Sequence, residues 1–467
     1  MLFPTLDFLV FLVVVVAGLL ALRGRHEGQK LLLLVASYVF YAQWDPRYCL
    51  LLAAASLVAW AAGLALGRAR APRARRWIVG GAVAALLGLL AYFKYADFFT
   101  ENLNEAARVL GASWRLPFVE VILPVGISFY VFHGISYVVD VYRGDVGVCR
   151  RPTDMLLYLS FFPQLVAGPI VRAASFLPQL ASPPPSLPVA PALLLILGGL
   201  FKKVVIANYL ATDLVDPVFF DPTAFGRTDL ILAAYGYAVQ IYCDFSAYSD
   251  IAIGLAALLG YRFPPNFDQP YRAASLAEFW RRWHISLSSW LRDYLYKPLG
   301  GSRRGEGRTA VNLATVMLLG GIWHGASWKF VAWGALHGGG LIAERAVGLR
   351  DGASRPWPLR LLSILVTFHV VCLGWIFFRA TDFAVAGDYL AGLVASAAAS
   401  SQATPMTLAL VLLGLLLHAL PPGLPLRLAA PLERWPAWAL GAAAGAVVVL
   451  VDALGPSGVA PFIYFQF

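Results

Sequence analysis

The stretch Phe8–Leu22 reads FLVFLVVVVAGLLAL and contains no charged or hydrogen-bonding side chain. A second aliphatic run, Leu408–Leu417, reads LALVLLGLLL. A helix needs about 20 apolar residues to cross the roughly 30 Å hydrocarbon core of a bilayer. The strands of an outer-membrane barrel instead alternate apolar and polar residues over about ten positions. These uninterrupted runs therefore predict membrane-spanning helices and an all-α fold.

The composition extends this prediction to the whole chain. Of the 467 residues, 60% are hydrophobic and 13% are charged, whereas soluble domains carry about 25% charged residues. The formal net charge is +10, but the basic residues stand in short clusters at the ends of apolar segments, where they orient a chain in a membrane. We therefore expect a multi-pass protein of the lipid bilayer with no nucleic-acid partner.

The cysteines indicate no chemistry. They are scattered, without the paired spacing of a metal site or a disulfide framework, so that no bound metal is expected. The four residues are Cys49, Cys149, Cys243 and Cys372.

Basic loops predict the orientation of the N-terminal helices. The loops Arg23–Lys30 and Arg68–Arg76 are strongly basic, whereas Trp44–Arg47 between them is not. By the positive-inside rule, the basic loops face the cytoplasm and the N-terminus lies outside. No basic region precedes the first apolar run, so we expect a retained first helix rather than a signal peptide. The candidate spans are about 3–22, 31–43, 48–66, 78–98, 121–141, 155–171, 190–210, 229–260, 309–345 (broken), 358–378, 405–420 and 435–453.

A first polar motif, Tyr242–Asp250, interrupts an apolar span. It reads YCDFSAYSD and contains Asp244 and Asp250. Buried carboxylates are costly in lipid, so both side chains must face the bundle interior or water. Two roles remain open: a hydrogen-bond network between helices, or a surface that lines a substrate path.

A second motif, Arg272–Tyr296, has the pattern of an amphipathic helix. Its large apolar residues recur every three or four positions, and its charged residues lie largely on the other face. This pattern is typical of a helix at the membrane interface or dipping into it. A simple anchor would not need His284 among the aromatic residues, although an anchor alone remains an alternative.

A third motif, Leu318–Trp328, places His324 in an apolar run, between Trp323 and Gly325. Glycines around it allow a neighbouring helix or a thin ligand to approach the backbone closely, and helix packing alone would also explain them. An imidazole in apolar surroundings is disfavoured in its charged form and stays neutral and basic near pH 7. A general base needs that state.

Together these motifs resemble the membrane-bound O-acyltransferase (MBOAT) family, and within it the bacterial branch that serves alginate O-acetylation. One departure is His133, where related bacterial proteins usually carry glutamine, and we interpret it as structural. The resemblance rests on four ordered motifs, Asp244–Gly254, Arg262–Tyr271, Phe279–Tyr296 and Gly320–Trp328, with support from Leu123–Tyr130, Tyr137–Gly144, Phe161–Pro169 and Phe462–Phe467.

The resemblance implies a polytopic bundle of about 11 helices with re-entrant or interfacial helices around a central tunnel. It implies one integral membrane domain over 1–467, with N-terminal helices in 1–100, a catalytic core at about 120–345 and C-terminal helices in 356–467. His324 is the implied catalytic residue, and His284 is the second polar position of the family. The candidates for lining the tunnel are Trp323, Trp328, Asp244, Asp250, Trp283, Asn266 and Arg282.

The implied activity is transfer of an acyl group, most simply acetyl, from a cytoplasmic thioester such as acetyl-CoA across the bacterial inner membrane. The acceptor would be an extracytoplasmic polysaccharide, alginate-like or another envelope glycan. No permanently bound cofactor is expected. A secreted SGNH-type acetyltransferase and polysaccharide machinery would be partners, with Phe467 and the external loops as docking candidates. The alternatives are a transporter, which also needs intramembrane Asp and His residues, and a non-catalytic scaffold of an export complex.

Overall fold

The computed structural model describes residues 3–182, 189–349, 356–396, 398–421 and 423–456. Two expectations lie outside these ranges: the supporting motif Phe462–Phe467 and the docking role of Phe467. Within the described ranges the regular structure is helical, and no strand occurs there. This confirms the predicted all-α fold.

The chain divides into two compact units, and the first comprises residues 1–187 and 259–263. Its longest helix begins at Pro72, where the missing N–H of proline is tolerated. This helix continues beyond the predicted span 78–98 and ends before Gly111, a left-handed residue with φ of 73°. The helices are α1 Leu6–Ala21, α2 His26–Ala42, α3 Arg47–Arg68, α4 Pro72–Val109, α5 Ile127–Arg143, α6 Pro152–Ser160, α7 Phe162–Leu165 and α8 Ala173–Ala181.

A further predicted span of this unit is divided in two. We expected a single helix over 155–171, but α6 ends at Ser160 and Phe161 adopts φ −51° and ψ 110°, outside the helical region. Pro163 then lies in the first turn of α7, where its fixed φ fits a helix start but not a helix interior. The segment is therefore two short helices.

The second unit comprises residues 188–258 and 264–467. Its first helix, α9, spans Val189–Phe220 and contains two π-helical turns, Lys202–Ala207 and Ala211–Val215. The other helices of at least seven residues are α10 Arg227–Leu258, α11 Leu276–Arg282, α12 Ile285–Leu291, α13 Glu306–His324, α14 Trp328–Ala346, α15 Trp357–Arg379, α16 Phe383–Ala395, α17 Pro405–Leu416, α18 Leu424–Leu432 and α19 Ala437–Leu454.

Six helices in the described ranges are long and apolar enough to cross a membrane: α3, α4, α9, α10, α15 and α19. Three shorter apolar helices, Leu6–Ala21, Phe383–Ala395 and Pro405–Ala419, accompany them. The chain is thus a multi-pass membrane protein. The total of about 11 helices stays a prediction.

The predicted broken span at 309–345 consists of α13 and α14. Gly325 ends α13 in an extended conformation, with φ −169° and ψ 155°. A Cβ at Gly321 would collide with the carbonyl oxygen of Phe330, and one at Gly334 would lie 2.5 Å from that of Met317. The glycines therefore let the two helices pack backbone to backbone, which fixes His324 at the end of α13.

Candidate active site

His324 is the last residue of α13 and is 4% exposed. Three aromatic rings surround its imidazole: the ring centroids of Trp323, Trp333 and Phe378 lie 5.0, 5.1 and 5.1 Å away. Trp333 comes from α14 and Phe378 from α15, so three helices enclose the ring. The sequence places His324 in apolar surroundings, and the structure shows the same.

A cavity of about 240 Å³ reaches His324. This is far more space than one water molecule needs, which is about 30 Å³ of liquid volume. Its wall is mostly apolar, and the polar side chains on it are few, as in sites that hold a ligand in one orientation. The lining residues are Trp280, Leu287, Ser288, Leu291, Arg292, Tyr296, Leu313, Val316, Met317, Gly320, His324, Trp333 and Leu341.

His284 is fully buried between α11 and α12, and its backbone is left-handed, with φ of 41°. Such a conformation in a residue other than glycine costs about 1–3 kcal/mol and persists only where the surroundings enforce it. Its ring packs edge-on against Phe245, at 4.6 Å between centroids. His284 lies outside the six candidate membrane spans. Burial lowers the pKa of His284, because the charged ring would lose its hydration.

Trp323 connects the two histidines. Its ring centroid lies 6.1 Å from that of His284 and 5.0 Å from that of His324. His284 is not among the residues that line the cavity. The two imidazoles therefore belong to one aromatic cluster, but only His324 contacts the open space.

Asn266 lies beside His284 rather than on the cavity wall. Its side-chain oxygen is 3.2 Å from His284 Nδ1 and accepts hydrogen bonds from the Ser286 N–H at 3.2 Å and the Ser286 hydroxyl at 2.8 Å. Its side-chain amide donates to Ser249 Oγ at 3.0 Å. The sequence named Asn266 as a tunnel candidate, and the structure brings it to the second histidine.

Each acid of the α10 motif pairs with a lysine of α9. Lys203 Nζ lies 2.8 Å from Asp244 Oδ1, with both side chains at most 4% exposed. Lys202 Nζ lies 2.6 Å from Asp250 Oδ2 and also donates to Ser246. Neither lysine was predicted from the sequence to be the partner of an acid. Two adjacent cations inside a predicted membrane span were the available signal, because such charges require partners.

The remaining candidates occupy three different surroundings. Trp283 is 2% exposed and packs against Trp375 at 5.0 Å and Phe267 at 5.1 Å. Arg282 forms ion pairs with Asp268 at 2.8 Å and with Glu278 at 3.0 Å. Trp328 begins α14 and is 55% exposed. None of the three is among the cavity-lining residues.

Sequence reasoning did not select Trp280 and Trp333 as site residues, although both line the cavity beside His324. Trp333 follows His324 by nine positions, a spacing that also suits an ordinary core residue. Within the described ranges, no three side chains of the His, Cys, Asp or Glu type lie together as a metal site would require.

Four other histidines lie in surroundings that differ from one another. His369 is exposed, and its ring nitrogens lie 2.8 Å from the Tyr235 hydroxyl and 2.7 Å from the Leu365 carbonyl oxygen. His418 Nδ1 lies 3.1 Å from the Gly414 carbonyl oxygen. His133 and His337 are fully buried, and neither ring forms a hydrogen bond with the described residues.

The fold and site define a multi-pass helical membrane protein with a buried imidazole on the wall of an apolar cavity. Residues 151–395, just over half of the chain, match the model of the MBOAT, membrane-bound O-acyltransferase family. The chain belongs to this family and is an acyltransferase. Family membership favours that activity over the transporter and the scaffold.

Named relatives agree with this assignment. The chain is 44% identical to "Probable alginate O-acetylase AlgI" of Pseudomonas aeruginosa, over 83% of this chain and 73% of that protein. It is 36% identical to "Peptidoglycan O-acetyltransferase" of Helicobacter pylori, over 78% of this chain and 73% of that protein. A more distant relative is "Teichoic acid D-alanyltransferase" of Bacillus subtilis, 28% identical over 56% of this chain and 69% of that protein.

Proposed function

We propose that this chain transfers an acetyl group from cytoplasmic acetyl-CoA across the bacterial inner membrane, for O-acetylation of an extracytoplasmic glycan. The observation that carries the proposal is His324 on the wall of an apolar cavity, in a member of an acyltransferase family. The names of the relatives favour a polysaccharide acceptor, because two of them are O-acetylating proteins of alginate and peptidoglycan.

In this proposal His324 is the general base. Its neutral imidazole takes the proton of the acceptor hydroxyl while the hydroxyl oxygen attacks the thioester carbonyl. A carbon–oxygen bond forms and the carbon–sulfur bond breaks. The proton then passes from the imidazole to the leaving thiolate, which restores the neutral ring.

The apolar cavity would position the reactants. General-base catalysis contributes about 10²- to 10⁴-fold, so a well-oriented complex must supply much of the remaining acceleration. Trp280 and Trp333 flank the cavity beside His324 and are suited to hold the thioester end of the donor. Arg292 also lines the cavity and offers a cation to a phosphate of the donor.

The test is turnover of labelled acetyl-CoA by the purified protein in detergent or nanodiscs, with an acceptor that carries a free hydroxyl group supplied. We expect His324→Ala to lower kcat by about 10²-fold or more, because the proton acceptor is lost. His369→Ala is the matched control, since His369 is exposed and hydrogen-bonded to Tyr235. Unchanged turnover in His324→Ala, with unchanged thermal unfolding, would contradict the proposal.

The proposal has two further parts, one supported by the basic loops of the N-terminal half and the other by the family resemblance. The N-terminus lies outside the cell, and a secreted SGNH-type acetyltransferase, with the polysaccharide machinery, receives the acetyl group. Cells that carry this chain without such a partner should leave the glycan unacetylated, and adding the partner should restore acetylation. Full glycan acetylation by the chain alone would contradict the need for a partner.

A further inference from the structure

The side-chain orientation of Asn266 is fixed by a group that can only donate. The backbone N–H of Ser286 points at Asn266 Oδ1 at 3.2 Å, and a backbone N–H has no acceptor capacity. The Asn266 amide donates to Ser249 Oγ on its other side. An exchange of the oxygen and nitrogen of this amide would place two donors together, so the acceptor of Asn266 faces His284.

This orientation determines the tautomer of His284. Nδ1 of the ring lies 3.2 Å from Asn266 Oδ1, which can only accept. Nδ1 must therefore carry the ring proton. Ser286 Oγ, 3.4 Å from Nδ1, uses its own proton in the bond to Asn266 Oδ1 and so also faces Nδ1 as an acceptor.

Backbone hydrogen bonds also fix the position of the Asn266 segment relative to His284. Ile285 N–H donates to the carbonyl oxygen of Asn266 at 2.9 Å, and Asp268 N–H donates to that of Arg282 at 2.9 Å. These two bonds tie the segment of Asn266 to the chain on either side of His284. These bonds constrain the backbone of His284, which would otherwise not keep its left-handed conformation.

The other ring nitrogen is then a lone-pair acceptor. His284 Nε2 is buried and forms no hydrogen bond with the described residues. The ring is neutral, as a fully buried imidazole between the uncharged rings of Phe245 and Trp323 should be. A neutral ring with the proton on Nδ1 can accept a hydrogen bond at Nε2, but it cannot donate one there.

We propose that Asn266 is a positioning residue, which holds His284 in the Nδ1–H tautomer so that its Nε2 acts in acyl transfer only as an acceptor. The proposal rests on the function proposed above. Stabilising a developing oxyanion would require a donor at Nε2, so a ring held in this tautomer cannot supply that stabilisation.

A spectroscopic test reads the tautomer without any turnover. The full-length protein, labelled with ¹⁵N-histidine, is examined by NMR in detergent, and His284→Gln identifies the His284 signals by their loss. We expect the proton on Nδ1 in the wild-type protein. A proton on Nε2 would overturn the inference and leave the acyltransferase proposal for His324 intact.

A kinetic test asks whether Asn266 acts through His284. We expect Asn266→Leu to lower kcat by roughly tenfold with little change in KM, less than the roughly 10²- to 10⁴-fold contributed by a general acid or base itself. In a His284→Gln background the same change should cost less than about twofold, because residues that act as one unit are not additive. An equal loss in both backgrounds would overturn the inference.

Asn266→Asp separates positioning from folding. Its carboxylate still accepts from His284 Nδ1–H, so kcat should be largely retained near neutral pH. The negative charge would favour the imidazolium, so the pKa of His284 would rise and the acid limb of the pH profile should move to higher pH. A profile identical to that of the wild-type protein would count against the inference. Thermal unfolding of each variant serves as the folding control.

Discussion

At the scale of single residues, the sequence left open the role of the two acids of α10. Asp244 and Asp250 were compatible with a substrate path or a helix network. The structure gives each a lysine within 2.8 Å, and the Lys203–Asp244 pair is almost fully buried. A buried pair of this kind favours a link between α9 and α10, and it makes the loss of one partner costly.

We therefore expect Lys203→Met to destabilise the protein by about 3–5 kcal/mol, because Asp244 is left charged and buried without its lysine. The double variant Lys203→Met with Asp244→Leu should recover most of that loss. Lys202→Met is the milder control, since Asp250 is 33% exposed and its charge is less completely buried. Thermal unfolding in detergent measures all three. A double variant no more stable than Lys203→Met would argue against the pair as a structural link.

At the scale of elements, the packing of α13 against α14 positions the catalytic candidate. Gly321 faces the Phe330 carbonyl oxygen, and Gly325 lies against the Phe330 ring. The spacing of these glycines was visible in the sequence, but their contact with the next helix was not. Neither helix can shift without moving His324 relative to the cavity.

The change Gly321→Ala tests this packing. We expect a loss of about 1–3 kcal/mol, because the new methyl group meets backbone that cannot move aside, and a parallel fall in kcat as His324 shifts. Gly307→Ala, in the first turn of the same helix, meets no atom within 4 Å. It should be neutral or stabilising by about 0.4–1 kcal/mol. Equal stability of the two variants would show that α13 and α14 do not need the close approach.

At the scale of the whole molecule, hydrophobic helices and basic loops alternate in the N-terminal unit. The basic loops follow α1 and α3. A bilayer resists the transfer of clustered cations, so these loops are expected in the cytoplasm. The orientation remains a proposal.

Cysteine labelling tests that orientation in spheroplasts. In a cysteine-free background, Gln43→Cys should react with a membrane-impermeant maleimide in intact spheroplasts, because its loop lies outside. Arg23→Cys should react only after permeabilisation. Both positions are exposed in the structure, so burial does not explain a difference between them. The reverse pattern would invert the proposed topology.

The sequence alone predicted the helical membrane fold, because long apolar runs have few alternatives in a bilayer. It also selected His324, since a histidine in an ordered family motif is visible without a structure. The helix boundaries around Phe161 and Pro163 were less predictable, because the helix is broken by a non-helical backbone conformation at a single residue within a largely apolar run.

Only the tertiary structure decided which groups meet. Residues of different helices or loops meet in three places. Lys203 pairs with Asp244, Trp280 and Trp333 share the cavity wall, and Asn266 contacts His284. Hydrophobic patterning determines that a helix is buried and which residue types it offers. The partner of each polar atom depends on how the helices pack and turn, which composition and spacing do not specify.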